Sequence, residues 1–207
     1  ETQIGALTST DIGELTATQI GAFTATQLGN FDSTQLDALT STQIKGLTSS
    51  QISGLTTIAL SSFTTTLLAA LSSSQVKGLT ATQLQAMDST QFTALSSTAL
   101  TGLTATQIGA VSETSLSELD ATQFGALTSA QLKGLTETQL GALTTTDMAE
   151  FTATQLKGLS ATQLGKLSTE NLSALNSTQV AALSSQQIAG LTTEQIANLT
   201  ATDMAEF

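Results

Sequence analysis

The sequence predicts an all-α solenoid of very short helices, with one helix in each eight-residue repeat. Three observations support this fold class. The octad Leu-Thr-x-Thr-Gln-Ile-x-x recurs without insertion or deletion through all 207 residues, two of its positions are apolar throughout, and a helix-capping residue follows the first of them. A strict repeat indicates one small structural unit that is stacked many times. We therefore predict a single continuous array over 1–207.

Two apolar columns define the octad, whose positions are numbered here from its Leu. Position 1 is Leu, Phe, Met or Val at every eighth residue from Leu7 to Phe207, and position 6 is apolar from Ile4 to Met204. A continuous helix would rotate this pattern by about 80° per octad and spread the apolar residues over every face. Each helix must therefore end within its octad, and both columns must pack against neighbouring octads.

The residues between the apolar columns indicate where each helix begins. Position 2 is Thr, Ser, Asp or Asn in every octad, and position 5 is Gln in eighteen of twenty-six octads. Thr-x-x-Gln is the capping-box pattern, and positions 1 and 6 are then the residues of the hydrophobic staple. We expect one to two helical turns over positions 3 to 8. The small residues at positions 7 and 8 favour a left-handed exit and a close backbone approach.

A β-solenoid is the alternative fold. Thr has good strand propensity, and short fixed repeats with Gln ladders occur in such structures. However, a single strand would direct positions 1 and 6 to opposite faces, because they differ by five, and a corner between them would be needed. A strand also offers no explanation for the invariant capping residue at position 2. The octad does not determine the number of octads per coil, and both two and three are plausible.

The array also carries a longer rhythm. Three atypical octads lie 56 residues apart, and so do the two Asp-Met-Ala-Glu-Phe segments 147–151 and 203–207, which favours duplication of a seven-octad block. The atypical octads begin at Leu55, Val111 and Leu167 and have Ala59, Ser115 and Asn171 at position 5. The chain begins and ends part-way through an octad, so we expect a segment of a longer array.

Composition excludes several classes of function. The chain has no His, Cys, Arg, Pro, Trp or Tyr, and its five Lys and sixteen acidic residues give a formal net charge of −11. Disulfides and metal sites of thiolate or imidazole are therefore excluded. A nucleic-acid partner would need a basic footprint, and membrane insertion would need about eighteen consecutive apolar residues. We predict neither partner.

The residues that could perform chemistry have structural explanations. Ser and Thr hydroxyls lack a His base, so we predict no enzyme, no catalytic site and no cofactor site. Paired carboxylates could bind a metal through oxygen ligands or act in glycoside hydrolysis. Capping and the helix dipole explain the same acids more simply, so we predict no metal site. The pairs are Asp11 with Glu14, Glu118 with Asp120, Asp147 with Glu150, and Asp203 with Glu206.

Other side chains suggest surfaces rather than sites. Lys45, Lys77, Lys133 and Lys157 all stand at position 7, late in the expected helix, where they mark an exposed face and could form a stripe for a partner. The Phe residues fall only in the two apolar columns, as core variants. Thr-x-Thr triplets resemble the Thr ladders of ice-binding solenoids, an alternative that depends on the β-solenoid.

The octad also carries a family resemblance. The run 103–110, Leu-Thr-Ala-Thr-Gln-Ile-Gly-Ala, resembles the octad arrays of very large bacterial surface proteins of the adhesin or haemagglutinin type. The resemblance covers the whole chain and implies a structural role outside the cell or at its surface. We expect a stalk or fibre segment that spaces or self-assembles. The alternative is an adhesion module whose Thr/Gln/Lys face binds a glycan, a surface or a neighbouring copy.

Overall fold

A computed structural model describes residues 6–199. This part of the chain contains 24 α-helices of four to six residues and no β-strand. The prediction of an all-α solenoid of very short helices is therefore confirmed, and the β-solenoid alternative is wrong. Each helix belongs to one octad and begins at position 3, as predicted from the capping pattern.

The chain divides into two units, Glu1–Leu103 and Thr104–Phe207. The helices of the first unit are α1 Ser9–Glu14, α2 Ala17–Gly21, α3 Ala25–Gly29, α4 Ser33–Asp37, α5 Ser41–Ile44, α6 Ser49–Ser53, α7 Thr57–Ser61, α8 Thr65–Ala69, α9 Ser73–Val76, α10 Ala81–Ala86, α11 Ser89–Thr93 and α12 Ser97–Leu100. Those of the second are α13 Ala105–Ile108, α14 Glu113–Ser117, α15 Ala121–Ala126, α16 Ser129–Leu132, α17 Glu137–Ala142, α18 Thr145–Glu150, α19 Ala153–Gly158, α20 Ala161–Leu164, α21 Thr169–Ser173, α22 Ser177–Val180, α23 Ser185–Ile188 and α24 Thr193–Ala197.

Helices pack against the helix three octads away. In the first unit, α1, α4, α7 and α10 form one row, α2, α5, α8 and α11 a second, and α3, α6, α9 and α12 a third. In the second unit, α13, α16, α19 and α22 form a row, as do α15, α18, α21 and α24, while α14 packs on α17 and α20 on α23. Each unit is therefore a solenoid with three octads per coil, which resolves the choice that the repeat left open.

Side chains cap the N-terminus of every described helix. The position-2 residue has an extended backbone, and its side chain accepts from the backbone N–H of position 5, as Thr104 does in α13. The side-chain oxygen of position 5 in turn accepts from the backbone N–H of position 2, which completes the capping box. The reciprocal bond is missing only where position 5 is neither Gln nor Asp, in the helices α7, α8, α12, α14 and α21.

The helix exit differs from the expectation. No described residue, glycine included, has a positive φ, so the predicted left-handed exit is wrong. Instead, the backbone N–H of position 1 donates to the carbonyl of position 6 and the chain then becomes extended, as for Leu15 on Ile12 at 3.2 Å. The extended residues at positions 1 and 2, such as Leu15 and Thr16, connect one helix to the next. Glycines at position 8 such as Gly134, and some at position 7 such as Gly21, allow a close backbone approach, whereas Gly13, Gly125 and Gly141 at position 7 have open space around them.

The core consists of the two apolar columns. Position 6 is buried from Ile12 to Val180, and position 1 is buried from Phe31 to Leu191. Two ring pairs lie in it, Phe23 with Phe31 at 5.5 Å between centroids and Phe124 with Phe151 at 4.8 Å. Each buried Leu or Ile contributes about 1.5–3 kcal/mol relative to an exposed one, so stacked coils stabilise helices that could not persist alone.

Two large apolar residues stand outside these columns, and they have opposite environments. Leu67 replaces Gln at position 5 and is buried, whereas Ile58 at position 4 is 77 % exposed. Position 4 is exposed in every described octad, where the usual residue is Thr. Most position-5 side chains, by contrast, are buried between successive coils, where they can form hydrogen bonds to the preceding coil.

Candidate functional site

The most heavily used polar group of the described chain is the Gln at position 5. The Gln75 side-chain oxygen accepts from the backbone N–H of Ser72 at 2.8 Å. Its Nε2 donates to the carbonyl oxygens of Ile44 at 2.6 Å and Leu47 at 2.8 Å, in the preceding coil. One side chain therefore caps its own helix and donates to two carbonyls at the end of another. The Ile44 carbonyl also accepts from the backbone N–H of Leu47, so the Gln75 bond matters most for the Leu47 carbonyl.

The same bonds recur through both units. Gln43 and Gln83 donate in this way in the first unit. Gln155, Gln179 and Gln187 do so in the second, over 2.7 to 2.9 Å. Their acceptors lie 28 and 31 residues earlier in the sequence, whereas Gln51 and Gln91 each donate to a carbonyl 30 residues earlier. Each bond thus spans one 24-residue coil and fixes the register of a coil on the one before it.

The sequence pattern predicted that position 5 belongs to the capping box, but it did not predict the bonds from its amide nitrogen to the preceding coil. A signal for it is present. Glu completes a capping box as well as Gln, yet Glu never occurs at position 5, and Gln occupies eighteen of twenty-six octads. The amide matters because it donates as well as accepts, which a carboxylate cannot do.

A second contact between coils joins position 8 to position 3 of the octad three repeats earlier. A Cβ atom on Gly134 would overlap the backbone of Ala105, and one on Gly158 would overlap Ser129. The glycine hydrogen thus lets two helices approach more closely than any side chain would allow. At Lys166 the same pair of positions is filled differently, since its Nζ lies 3.0 Å from a carboxylate oxygen of Glu137, with both side chains largely in solvent.

One member of each described acidic pair serves in a helix cap, namely Asp11, Asp120 and Asp147. A carboxylate oxygen of Asp11 accepts from the backbone N–H of Thr8 at 2.8 Å and from its hydroxyl at 2.7 Å. These two bonds lower the pKa of Asp11, the hydroxyl bond having the larger effect. Asp120 caps α15, with its side chain accepting from Gln123. Asp203 and Glu206 lie outside the described residues.

Asp147 and Glu150 differ from the other described acids because Asp147 is buried and Glu150 is half-buried. Asp147 is 3 % exposed and accepts from the backbone N–H and hydroxyl of Thr144. One carboxylate oxygen of Glu150 is buried without a hydrogen-bond partner. Burial raises the pKa of Glu150, and the negative charges of Asp147 and then Asp120 raise it further. Within 6–199 no three acids converge as metal ligands would.

The four position-7 lysines do not form one stripe. All four are exposed. Lys45 follows α5 and Lys77 follows α9, and these helices belong to different rows of the first unit. Lys133 and Lys157 instead stand on the neighbouring helices α16 and α19, where they line an open groove of about 660 Å³ with Glu137, Thr162 and Gln163.

These features define the class of the protein, an all-α repeat protein whose octads stack three to a coil in each unit. The ALTTAQ repeat family matches residues 165–201. Its six letters correspond to position 8 of one octad followed by positions 1 to 5 of the next, as in Gly-Leu-Thr-Thr-Glu-Gln at 190–195. No curated protein matches the chain. None of the helices in 6–199 has the length and apolar character required to cross a bilayer.

Proposed function

We propose that the chain is a structural repeat protein, a stalk or fibre segment that spaces or self-assembles at a bacterial surface. One observation carries this proposal. The residue types that could act chemically are used as parts of the coil, since position 2 caps, position 5 caps and bridges, and positions 1 and 6 form the core. The likeness of the octads to arrays in large bacterial surface proteins supports the location.

The spacing role can be tested by changing the number of coils. Inserting or deleting 24 residues adds or removes one complete coil while every octad keeps its position-5 and position-8 contacts. A spacer should keep its cooperative helical fold, and reporter groups at its two ends should change separation by one coil. Insertion of 8 residues, which breaks the three-octad rows, is the matched control. An unfolded wild-type chain would contradict the proposal, and labelling of intact source cells with an antibody would test the location.

A binding module is the second candidate, and the groove beside Lys133 and Lys157 favours it. Lys133 and Lys157 border one groove together with the carboxylate of Glu137, and the excess of positive charge there would suit an anionic group, such as the carboxylate or sulfate of a glycan. The double variant K133A/K157A should then lose binding to an acidic glycan and keep its helical signal. K45A/K77A removes the same charge elsewhere and should bind normally. Equal binding by all three proteins would count against this function.

The ice-binding alternative loses its structural basis in this fold. It required Thr side chains on a flat strand surface. The first Thr of a described triplet caps a helix and the second lies in its first turn, as Thr24 and Thr26 do in α3. We therefore do not include ice binding in the proposal.

A further inference from the structure

Three of the five lysines are grouped around one groove of the second unit. Lys133 and Lys157 line this groove, and Glu137 is the one acid among the described residues that line it with them. The Nζ atom of Lys166 lies 3.0 Å from a carboxylate oxygen of Glu137. Because Lys166 offsets the charge of Glu137, the other two lysines make the groove locally positive on a chain whose formal net charge is −11.

A second groove continues from the first along the row of α16, α19 and α22. It has a volume of about 510 Å³, shares Lys157 with the first groove, and is also lined by Ser177, Thr178 and Ala181. Since α16 packs on α19 and α19 packs on α22, the residues at position 7 of this row, Lys133, Lys157 and Ala181, follow one another at intervals of one coil. The two adjoining grooves, here called the axial track, therefore cross three successive coils of the second unit.

Between its lysines the track presents hydroxyl and amide groups. Thr162 is exposed and Gln163 is half-buried. The Nε2 atom of Gln163 is 3.2 Å from the carbonyl oxygens of Leu132 and Leu135, whereas the buried Gln155 makes the equivalent bonds over 2.9 and 2.8 Å. The Gln163 amide is therefore held less tightly and can also donate to a ligand. None of the described residues that line the two grooves is aromatic, so the track offers no surface on which nucleic-acid bases would stack.

We propose that the axial track binds a linear anionic polysaccharide that runs across the coils, with one acidic group at Lys133 and the next at Lys157. The inference rests on the second candidate function and deepens it, because it names the shape, charge spacing and direction of the ligand. Helices packed directly on each other have axes about 8–10 Å apart, which is close to the length of a disaccharide. A glycan with one acidic group per disaccharide therefore presents its charges at the interval of the two lysines.

Lys166 is a positioning residue of the track. Its side chain is 43 % exposed and that of Glu137 is 68 % exposed, and an ion pair in solvent contributes little to folding. Its consequence is for the ligand, because a carboxylate paired with an ammonium group repels a nearby anion less than a free carboxylate does. The Lys166–Glu137 pair thus keeps the only acid of the described lining from opposing an acidic glycan.

The length of the ligand is the first test. Hyaluronan is a suitable probe, because it carries one carboxylate per disaccharide. Isothermal titration calorimetry of the 207-residue chain at low ionic strength should show the hyaluronan octasaccharide binding about tenfold or more tightly than the disaccharide, since only the longer ligand reaches both lysines at once. A neutral octasaccharide of glucose should not bind, and added sodium chloride should weaken the binding of hyaluronan.

The direction of the track is tested with Ala181→Lys. Ala181 is exposed at position 7, one coil beyond Lys157, so the new lysine extends the row of cations. The affinity for the octasaccharide should rise about threefold or more, with little change for the disaccharide. Ala197→Lys is the matched control, because Ala197 is also exposed at position 7 but belongs to α24, in another row of the second unit.

The role of the ion pair is tested with Glu137→Gln, which should raise the affinity for the octasaccharide about twofold or more. Glu113→Gln removes the same charge from the same octad position one coil earlier and should bind as wild type does. Lys166→Ala should lower the affinity, and it should lower it less when Glu137 has already been changed to Gln. A residue that acted only through its own charge would give the same loss in both backgrounds.

Three results would overturn this inference. They are equal affinities for the octasaccharide and the disaccharide, equal effects of Ala181→Lys and Ala197→Lys, and tighter binding of a single-stranded DNA octanucleotide than of hyaluronan. The double variant K133A/K157A separates this failure from failure of the second candidate function. If wild type binds an acidic glycan of any length and the double variant does not, the binding function stands and only the extended track is wrong. If folded wild type binds no acidic glycan, both are wrong.

Discussion

The Nε2 atom of Gln139 donates to the carbonyl oxygen of Ile108 over 2.8 Å, although the two residues are 31 positions apart in the sequence. The same nitrogen donates to Val111 at 2.7 Å, and the side-chain oxygen accepts from the backbone N–H of Thr136 at 2.8 Å. Gln139 is buried. Helix capping and coil stacking therefore depend on one side chain, which explains how four-residue helices persist without a wide core.

Gln139→Glu separates these two roles. Glu preserves the capping box, but it leaves the Val111 carbonyl without its donor, removes one of the two donors to the Ile108 carbonyl and buries a carboxylate. We therefore expect a loss of about 2–5 kcal/mol at neutral pH. Gln19→Glu is the control, because Gln19 is exposed and its hydrogen bonds with residues in 6–199 are those of its own capping box. Urea unfolding at a dilute chain concentration measures both. Equal losses for the two variants would contradict the role of the amide between coils.

Gly134→Ala tests the close contact between position 8 and position 3. The added methyl group would overlap the Ala105 backbone, so we expect a destabilisation of about 1–3 kcal/mol. Gly141→Ala is the matched change, because nothing lies within 4 Å of the added methyl group and Gly141 is inside α17. It should stabilise by about 0.5–1 kcal/mol. Thermal unfolding of both variants would show shifts of opposite sign, and two shifts of the same sign would argue against this packing.

Leu132→Ala and Thr128→Ala compare the core with the cap of a single helix, α16. Leu132 is fully buried, so its truncation should cost about 2–5 kcal/mol. Thr128 accepts from the backbone N–H of Gln131 at 3.2 Å, and loss of that cap should cost about 1 kcal/mol. Ile58→Ala should change stability little because Ile58 is exposed. The order of the three denaturation midpoints checks the assignment, and a large effect at Ile58 would refute it.

Glu150 should make stability depend on pH. Its pKa is raised in the folded chain by burial and by the charges of Asp147 and Asp120, so the folded state holds the proton more tightly than the unfolded state. Linkage then requires that stability falls as pH rises from the ordinary glutamate pKa through the raised value. Glu150→Gln should remove this decline and raise Tm at neutral pH. Melting curves across pH, with Glu14→Gln at an exposed position 8 as control, measure the effect.

An identical slope in the Glu150→Gln protein and in wild type would contradict this origin of the pH dependence. Asp11 should act in the opposite direction. Its pKa is lowered by the Thr8 hydroxyl and N–H, so its contribution is present above the unfolded pKa and is lost as pH falls through the folded value.

Much of the local structure could be predicted from the octad. Helix starts at position 3, caps at position 2 and burial of positions 1 and 6 all follow from interactions within about six residues, which a repeat displays directly. The left-handed exit was predicted wrongly, because small residues at positions 7 and 8 are compatible both with a positive φ and with a close backbone contact. The sequence does not distinguish these two explanations. Gly134 is small because Ala105 approaches it, which no local pattern reveals.

The candidate surfaces were harder to predict, because they depend on which octads become neighbours. Lys45, Lys77, Lys133 and Lys157 share an octad position, but a coil of three octads places Lys133 and Lys157 in one row and separates Lys45 from Lys77. An eight-residue period contains no record of the number of octads per coil. The groove at Lys133 therefore emerges from tertiary packing alone.

The sequence by itself determined the secondary structure, the core columns and the exclusion of disulfides and imidazole or thiolate metal sites, because these depend on residue type and short spacing. The tertiary structure decided the three-octad coil, the bond from Gln75 to Ile44, and the contact of Gly158 with Ser129. Those contacts join residues about 30 positions apart. Their geometry is set by how the chain closes a coil, and a donor such as Gln Nε2 acquires its partners only when that coil has formed.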